Sequence, residues 1–203
     1  MDNMNHLRDL LRFDVKHLIS AEEQIIEAMP AMIAKATNPA LKQALEQHLR
    51  ITELQRSRLT QVQQGLGVDN DNDDDGIFSG LFDMGSKNKG MDGLIDEGQK
   101  VMAVDMDPAV MDAAIIGCAQ KIEHYEIACY GTARTYAQQL GLTQVANLLQ
   151  QAKDLALGAT VSTADFTKID TDIKEKFKQI GAIISGTQMN GVILLSNIGG
   201  KPL

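Results

Sequence analysis

Two carboxylates fall inside apolar stripes of the sequence, where an ionised side chain needs a chemical partner. Glu126 lies within a stripe whose apolar members recur at helical spacing. Those members are Ile115, Cys118, Ala119, Ile122, Tyr125, Cys129, Ala133 and Leu140. Glu22 lies near the centre of a second stripe, close to the start of the chain. Because a lone carboxylate in a core is costly unless it is paired, hydrogen-bonded or bound to a metal, both positions predict a buried polar network or a metal site.

Other polar residues are predicted to lie near the same interior. They are His48, Thr52 and Gln55, with Arg56 at their side, and Glu123 at the edge of the Glu126 stripe with Tyr130 one turn beyond. In one interpretation these residues hydrogen-bond with Glu22 and Glu126. In the other, Glu22, Glu123 and Glu126 supply oxygen ligands and His48 a nitrogen ligand to iron or manganese.

A dinuclear metal centre requires more ligands than this sequence contains at suitable positions. Such a centre in a helical bundle uses about six ligands, namely a Glu from each of two helices and a Glu-x-x-His pair from each of the other two. Here Glu53 is followed three residues later by Arg56, and Asp154 is the only carboxylate in the well-patterned part of the last long helix. The sequence therefore predicts a degenerate metal site, with either no metal or a weakly held one.

The apolar periodicity predicts four long helices and a short one. They span about 4–29, 39–64, 91–104, 108–140 and 143–158. Pro30 is expected to kink or end the first helix. Asn38 before Pro39, and Asp107 before Pro108, are typical of a capping residue followed by proline at the first helical position.

This order of helices predicts an all-α fold, a ferritin-like four-helix bundle whose second and third long helices are joined by a long crossover. We assign the bundle to residues 1–165, with an acidic and apolar crossover insert at 67–106. Residues 166–203 form a C-terminal extension. Within it, 171–184 is a candidate helix, and Asn190-Gly191 is either a hairpin turn or part of a flexible tail.

The charge and the apolar content of the chain limit the kinds of partner it is expected to bind. The net charge of −8 offers no basic surface for nucleic acid. No apolar run reaches the length of a membrane span and no signal-peptide core is evident, which favours a cytoplasmic protein. Cys118 and Cys129 lie on one predicted helix, too far apart to form a disulfide with each other, and are expected to pack in the core.

An acidic run in the crossover resembles part of a calcium-binding loop. Asp71, Asp73 and Asp75 alternate before Gly76, as in the first half of such a loop. The twelfth position is Phe82, where a bidentate Glu is required. A solvated acidic loop is therefore the favoured interpretation, with weak calcium binding as the alternative.

Several blocks of the chain resemble the YciF-like proteins of the ferritin superfamily. The blocks read SAEEQ at 20–24, AMP at 28–30, LEQHL at 45–49, DPAV at 107–110 and KIEHYEIACYGT at 121–132. The resemblance spans roughly residues 7–160 and implies a bacterial, ferritin-like helical bundle. It further implies an association with stress responses, frequent dimers and no assigned reaction.

The chain also departs from that family at the positions that matter for a metal. Family members usually carry acidic residues just after the His-Leu pair of the second helix, and again in the fourth long helix. This chain has Arg50 and Ile51 at the first place and Leu155 and Ala156 at the second. Loss of anionic ligands removes charge that a divalent ion requires.

Two hypotheses follow. In the first, the chain is a non-enzymatic, structural or stress-associated bundle that self-associates as a homo-oligomer, such as a dimer, and keeps its acids as a polar core. In the second, it is a carboxylate-bound iron or manganese protein with oxidoreductase or iron-handling activity. In either case the apolar residues 192–195 of the tail are expected to fold back on the bundle or to dock a protein partner.

Overall fold

The computed structural model describes residues 5–66 and 87–159, together with two short strands near the C-terminus. The chain divides into two compact units, Met1–Val161 and Ser162–Leu203. The elements are α1 (Leu7–Lys35), α2 (Pro39–Gly65), α3 (Lys89–Met102), α4 (Pro108–Gln139), α5 (Thr143–Ala159), β1 (Gln188–Met189) and β2 (Val192–Ile193).

The first unit is a bundle of α1, α2, α4 and α5. Each of these helices packs against two others in a closed ring, in which α1 contacts α2 and α4, and α5 contacts the same two helices. The crossover from α2 to α4 contains α3, which packs on α4 and α1. This arrangement confirms the predicted ferritin-like four-helix bundle with a long crossover.

The second unit contains one described feature of secondary structure, the pairing of β1 with β2. The strands are antiparallel, with Gln188 opposite Ile193 and Met189 opposite Val192. This pairing agrees with the hairpin alternative predicted around 190–191. The candidate helix at 171–184 and the acidic loop of Asp71, Asp73 and Asp75 lie outside the described residues.

Local hydrogen bonds explain where the helices begin and end. The Asn38 side chain accepts hydrogen bonds from the amides of Ala40 at 2.8 Å and Leu41 at 3.3 Å, and Asp107 accepts one from Ala109 at 2.9 Å. These contacts satisfy amides that the first helical turn leaves unpaired, which confirms both predicted caps. After α4 the chain turns at Gly141, whose φ of 70° is readily adopted only by glycine.

Pro30 does not end the first helix, so that part of the prediction is wrong. α1 continues to Lys35, with Pro30 in its interior and exposed to solvent. The proline removes one intrahelical hydrogen bond. Beyond it, Met32 and Ala36 are 4% and 1% exposed, so burial of apolar side chains holds the last turn in place.

The connection between α1 and α2 is tied to α4 by a buried carboxylate. Asp112 accepts hydrogen bonds from the Thr37 amide at 2.7 Å, the Thr37 hydroxyl at 2.7 Å and the Asn38 amide at 3.0 Å. Hydrogen bonds to an ionised acceptor are stronger than those to a neutral one. These three hydrogen bonds therefore fix the position of the α1–α2 turn along the axis of α4.

A second polar contact holds α3 against the bundle. The Asn88 side chain caps α3 by accepting from the Met91 amide at 3.0 Å, and it also accepts from the Tyr125 hydroxyl at 2.8 Å. Its amide nitrogen donates to the His17 carbonyl at 3.1 Å. Asn88, which is 2% exposed, thereby joins the start of α3 to both α1 and α4.

No helix among the described parts of the chain is both long enough and apolar enough to cross a membrane.

Two glycines of α3 make a matched pair for testing how this helix docks. A methyl group at Gly90 would lie 2.7–2.9 Å from the Tyr125 ring, whereas a methyl group at Gly93 would meet no atom within 4 Å. We expect Gly90→Ala to lower the free energy of unfolding by about 1–3 kcal/mol through overpacking. Gly93→Ala should raise it by about 0.5–1 kcal/mol because alanine favours helix.

Urea unfolding of both variants and of the parent chain measures this difference. A Gly90→Ala protein as stable as the Gly93→Ala protein would show that α3 does not pack on Tyr125 as described.

Candidate functional site

The interior acids of α1 and α4 meet inside the bundle. Glu22 and Glu126 are both fully buried, and their carboxyl groups lie close enough for the charge of Glu22 to raise the pKa of Glu126. The hydroxyl of Tyr130, also fully buried, donates a hydrogen bond to Glu22 Oε1. Tyr130 follows Glu126 by one helical turn, so both side chains reach the same point on α1. Tyr130, one of the predicted partners, therefore meets Glu22, whereas both carboxyl oxygens of Glu126 lack a hydrogen-bond partner among the described residues.

Glu123 and His48 form a second contact, between α4 and α2. His48 Nδ1 lies 3.5 Å from Glu123 Oε1, and the two residues are 4% and 1% exposed. Burial lowers the pKa of His48 to about 4, so the imidazole is neutral at pH 7. This distance is at the outer limit for a hydrogen bond, and the contact leaves Glu123 Oε1 unsatisfied.

Burial makes the interior carboxyl groups weak acids. It raises the pKa of Glu22 to about 7, although the hydrogen bond from Tyr130 acts in the opposite direction. Burial likewise raises the pKa of Glu123 to about 7. The pKa of Glu126 is raised well above its ordinary value, first by burial and then by the charge of Glu22. Both effects favour the neutral form of Glu126.

Several side-chain atoms of the buried acids and of His48 have no hydrogen-bond partner. They are Glu22 Oε2, Glu123 Oε1 and Oε2, Glu126 Oε1 and Oε2, and His48 Nε2. A buried acceptor without a donor costs free energy, and several acceptors on neighbouring side chains add like-charge repulsion when ionised. Protons on the carboxyl groups relieve that cost, and so would a bound cation.

The donor set does not fit a dinuclear metal centre. On α2 the buried positions near His48 are Leu45, Thr52 and Gln55, and Gln55 donates its amide to the Ala152 carbonyl of α5 at 3.2 Å. On α5 the buried residues are all apolar, namely Val145, Ala146, Leu149, Ala152 and Ala156. Among the residues that the structure describes, no group of three or more His, Cys, Asp or Glu is arranged to hold a metal ion.

The structure corrects several details of the predicted interior. Arg56 does not meet the buried acids, because its guanidinium binds Glu23 at 2.7 Å on the half-exposed surface. Tyr125 and Cys129, placed in the stripe, are only half-buried. Glu123, placed at the edge, is central with 1% exposure. The buried face of α4 is thus rotated toward the line of Ile122, Glu123, Glu126, Tyr130, Ala133 and Ala137.

The sequence contains a pattern that indicates this buried face of α4. Its members from Glu123 to Ala137 are spaced alternately three and four residues apart, as on the inward face of a bundle helix. The stripe drawn through Tyr125 and Cys129 competes with it, since both lines contain apolar residues. The sequence gives no local signal for the roles of Asn88 and Asp112, because each of them contacts residues that are distant in sequence.

Comparison with known proteins places the chain in a family. The profile of the family described as "Domain of unknown function (DUF892)" matches residues 6–162. The chain is 34% identical to protein YciF of Escherichia coli (strain K12) over 163 residues, which is 80% of this chain and 91% of that protein. The chain therefore belongs to the DUF892 family, in agreement with the YciF-like resemblance of its sequence.

Solved structures of relatives share the fold. The crystal structure of the E. coli stress protein YciF matches with a TM-score of 0.71 at 31% identity, covering 83% of this chain and 99% of that one. YcfI of Rhodopseudomonas palustris matches with a TM-score of 0.70 at 34% identity, covering 83% of this chain and 96% of that one.

The raised carboxyl pKa values predict how stability varies with pH. Between the unfolded pKa of 4.5 and the folded pKa of about 7, the folded state keeps protons on Glu22 and Glu123 that the unfolded state has released. Glu126 acts in the same direction. Stability is therefore lost as pH rises through this window. Burial lowers the pKa values of His48 and His17, which oppose the trend below the ordinary imidazole value of 6.5. Burial also raises the pKa of Asp14, so four carboxyl groups act against two imidazoles.

We expect the melting temperature of chelator-treated protein to fall from about pH 5 to pH 8. The variant Glu22→Gln/Glu126→Gln, which cannot ionise at either position, should show a shallower fall. Thermal denaturation followed by circular dichroism measures both slopes. Parallel curves for the two proteins would contradict the assignment of raised pKa values to these acids.

Proposed function

We propose that this chain is a non-enzymatic, stress-associated bundle protein in which a degenerate metal site serves as a buried polar core. The names of its relatives support the biological side of this proposal. YciF of E. coli is a stress protein, and YcfI of R. palustris is described as a candidate structural protein. In this proposal the chain acts as a homo-oligomer.

The proposal rests on the contacts that the interior acids already make within the bundle. Glu22 Oε1 accepts from Tyr130, and burial beside Glu22 raises the pKa of Glu126 well above its ordinary value, which favours its neutral form. A carboxyl group used in this way must give up a hydrogen bond and a proton before it can bind a metal. Because α2 and α5 supply no buried carboxylate opposite these acids, little charge is present to drive that exchange.

A polar cluster of this kind also has a structural use. Sliding α1 along α4 would separate Glu22 from Tyr130 and leave an unpaired carboxyl group in an apolar core. The cost of such a group is of order 1–3 kcal/mol. The cluster therefore favours one register of the two helices over its neighbours, which suits a protein whose role depends on a defined surface.

A second candidate function is binding of one iron or manganese ion. The observation that favours it is the chemistry of the unsatisfied atoms, which are five carboxyl oxygens and one imidazole nitrogen. Glu22, Glu123, Glu126 and His48 would hold the ion, and such an ion would supply one-electron redox chemistry. Neutral His48 has a lone pair on one ring nitrogen, and its Nε2 has no hydrogen-bond partner. Side-chain rotations would be needed to bring these donors around one centre.

Metal analysis separates the two candidates. Protein purified from cells supplied with iron and manganese is expected to contain far less than one metal ion per chain. The variant Glu22→Gln/Glu126→Gln should then keep its fold and oligomeric state and change only in thermal stability. The variant Glu46→Gln/Glu53→Gln, with the same two replacements at exposed positions of α2, is the matched control.

The second candidate requires the opposite result. Near-stoichiometric iron or manganese in the parent chain, retained in the Glu46→Gln/Glu53→Gln control and lost in Glu22→Gln/Glu126→Gln, would overturn the proposal of a degenerate site.

A further inference from the structure

The four long helices form a ring whose packing does not depend on α3. Each of α1, α2, α4 and α5 packs against two of the others, and α3 adds contacts to α4 and α1. Detachment of α3 would therefore leave the packing among the four long helices in place. Such an element can open separately from the rest of a protein when its own stability is low.

The helix α3 has little stability of its own. It is 14 residues long, and its buried residues are Met91, Gly98 and Met102. Its sequence contains three glycines, at positions 90, 93 and 98. A glycine in a helix interior is less favourable than alanine, and a helix of this length is marginal in water without tertiary contacts. The contacts of α3 with α1 and α4 therefore keep it helical.

The glycines of α3 differ in what they face. A methyl group at Gly90 would lie 2.7–2.9 Å from the Tyr125 ring, and one at Gly98 would lie 3.6 Å from Cys118 Sγ. A methyl group at Gly93 would meet no atom within 4 Å. Gly93 therefore lowers the helical stability of α3 with no gain in packing.

Asn88 attaches the start of α3 to the bundle. Its side chain accepts a hydrogen bond from the Tyr125 hydroxyl at 2.8 Å and donates one to the His17 carbonyl at 3.1 Å. Its backbone N–H donates to Ser20 Oγ at 3.0 Å, and its carbonyl accepts from Gln24 Nε2 at 3.4 Å. Because these bonds converge on one residue that is 2% exposed, they break together when that residue moves.

Further along α3, the contact with α4 is weaker in kind. Glu97 forms an ion pair with Lys121, and the two side chains are 53% and 54% exposed. An ion pair exposed to this degree contributes little to stability. Cys118 of α4 lies beneath Gly98 and is 7% exposed. Removal of α3 would open the Cys118 thiol to solvent.

We propose that α3 is a lid, latched by Asn88, that opens by local unfolding while the ring of α1, α2, α4 and α5 stays folded. Opening breaks the hydrogen bonds of Asn88, unwinds α3, and uncovers the seam where α1 meets α4 together with the Cys118 thiol. This device goes beyond the proposed role of the bundle and involves none of its buried acids.

Two measurements on the full chain follow the lid. In a Cys129→Ala background, where Cys118 is the only cysteine, alkylation by iodoacetamide reports exposure of that thiol. Hydrogen exchange of the α3 amides, followed by mass spectrometry in the same protein, reports loss of the helix. We expect the opening constant of α3 to exceed that of the central amides of α4 by about tenfold or more, and alkylation to follow the α3 constant.

Three variants separate local opening from unfolding of the whole bundle. Asn88→Ala removes the latch and should speed alkylation and α3 exchange by about tenfold, because buried hydrogen bonds are lost. Gly93→Ala should slow both by about fourfold, because alanine favours helix. Gly117→Ala on α4 is the matched control, since a methyl group there also meets no atom within 4 Å. It should slow exchange of the central α4 amides and leave α3 exchange and alkylation unchanged.

Equal opening constants for α3 and α4 would overturn the proposal, because α3 would then open only when the whole bundle unfolds. Equal slowing of alkylation by Gly93→Ala and Gly117→Ala would also overturn it, as would unchanged alkylation in a folded Asn88→Ala protein. If Asn88→Ala does not fold, the two glycine variants decide the outcome.

Discussion

The contact between Glu22, Glu126 and Tyr130 is the constraint around which the bundle is arranged. Two carboxyl groups from different helices are removed from water, and they are tolerated because burial favours the neutral form of Glu126 and the phenol of Tyr130 donates to Glu22. This solution works only while α1 and α4 stay in one register. Moving these two helices, the longest in the bundle, would leave desolvated acids without a partner. The cost of that state restricts how the helices can slide and rotate.

The other buried polar contacts reinforce the same pair of helices. Asp112 of α4 receives three hydrogen bonds from the turn that follows α1, and Asn88 ties the start of α3 to both α1 and α4. Each contact joins segments far apart in sequence, so each restricts the relative position of whole elements. The contacts of Asn88 explain how α3, a short helix in a long crossover, is held against the bundle.

The acidity of the chain has different consequences in different places. In the core, burial raises the pKa values of the acids, so the interior carries less charge at pH 7 than its carboxyl count suggests. The exposed acids Asp92 and Asp96 of α3 instead remain in water and pair with lysines. The buried acids therefore contribute to a specific structure, whereas the exposed ones contribute to the negative charge of the surface.

The sequence by itself determined the helices, their caps and the burial of the acids. These features depend on contacts within a few residues: Asn38 and Asp107 cap the amides next to them, and the spacing of apolar residues places Glu22 and Glu126 inward. Only the tertiary structure decided that Tyr130 rather than Arg56 meets Glu22, that Glu123 is central, and that α1 continues through Pro30. Those outcomes depend on the rotation of each helix about its axis and on packing beyond its end. Such contacts join distant parts of the chain, and local periodicity does not specify them.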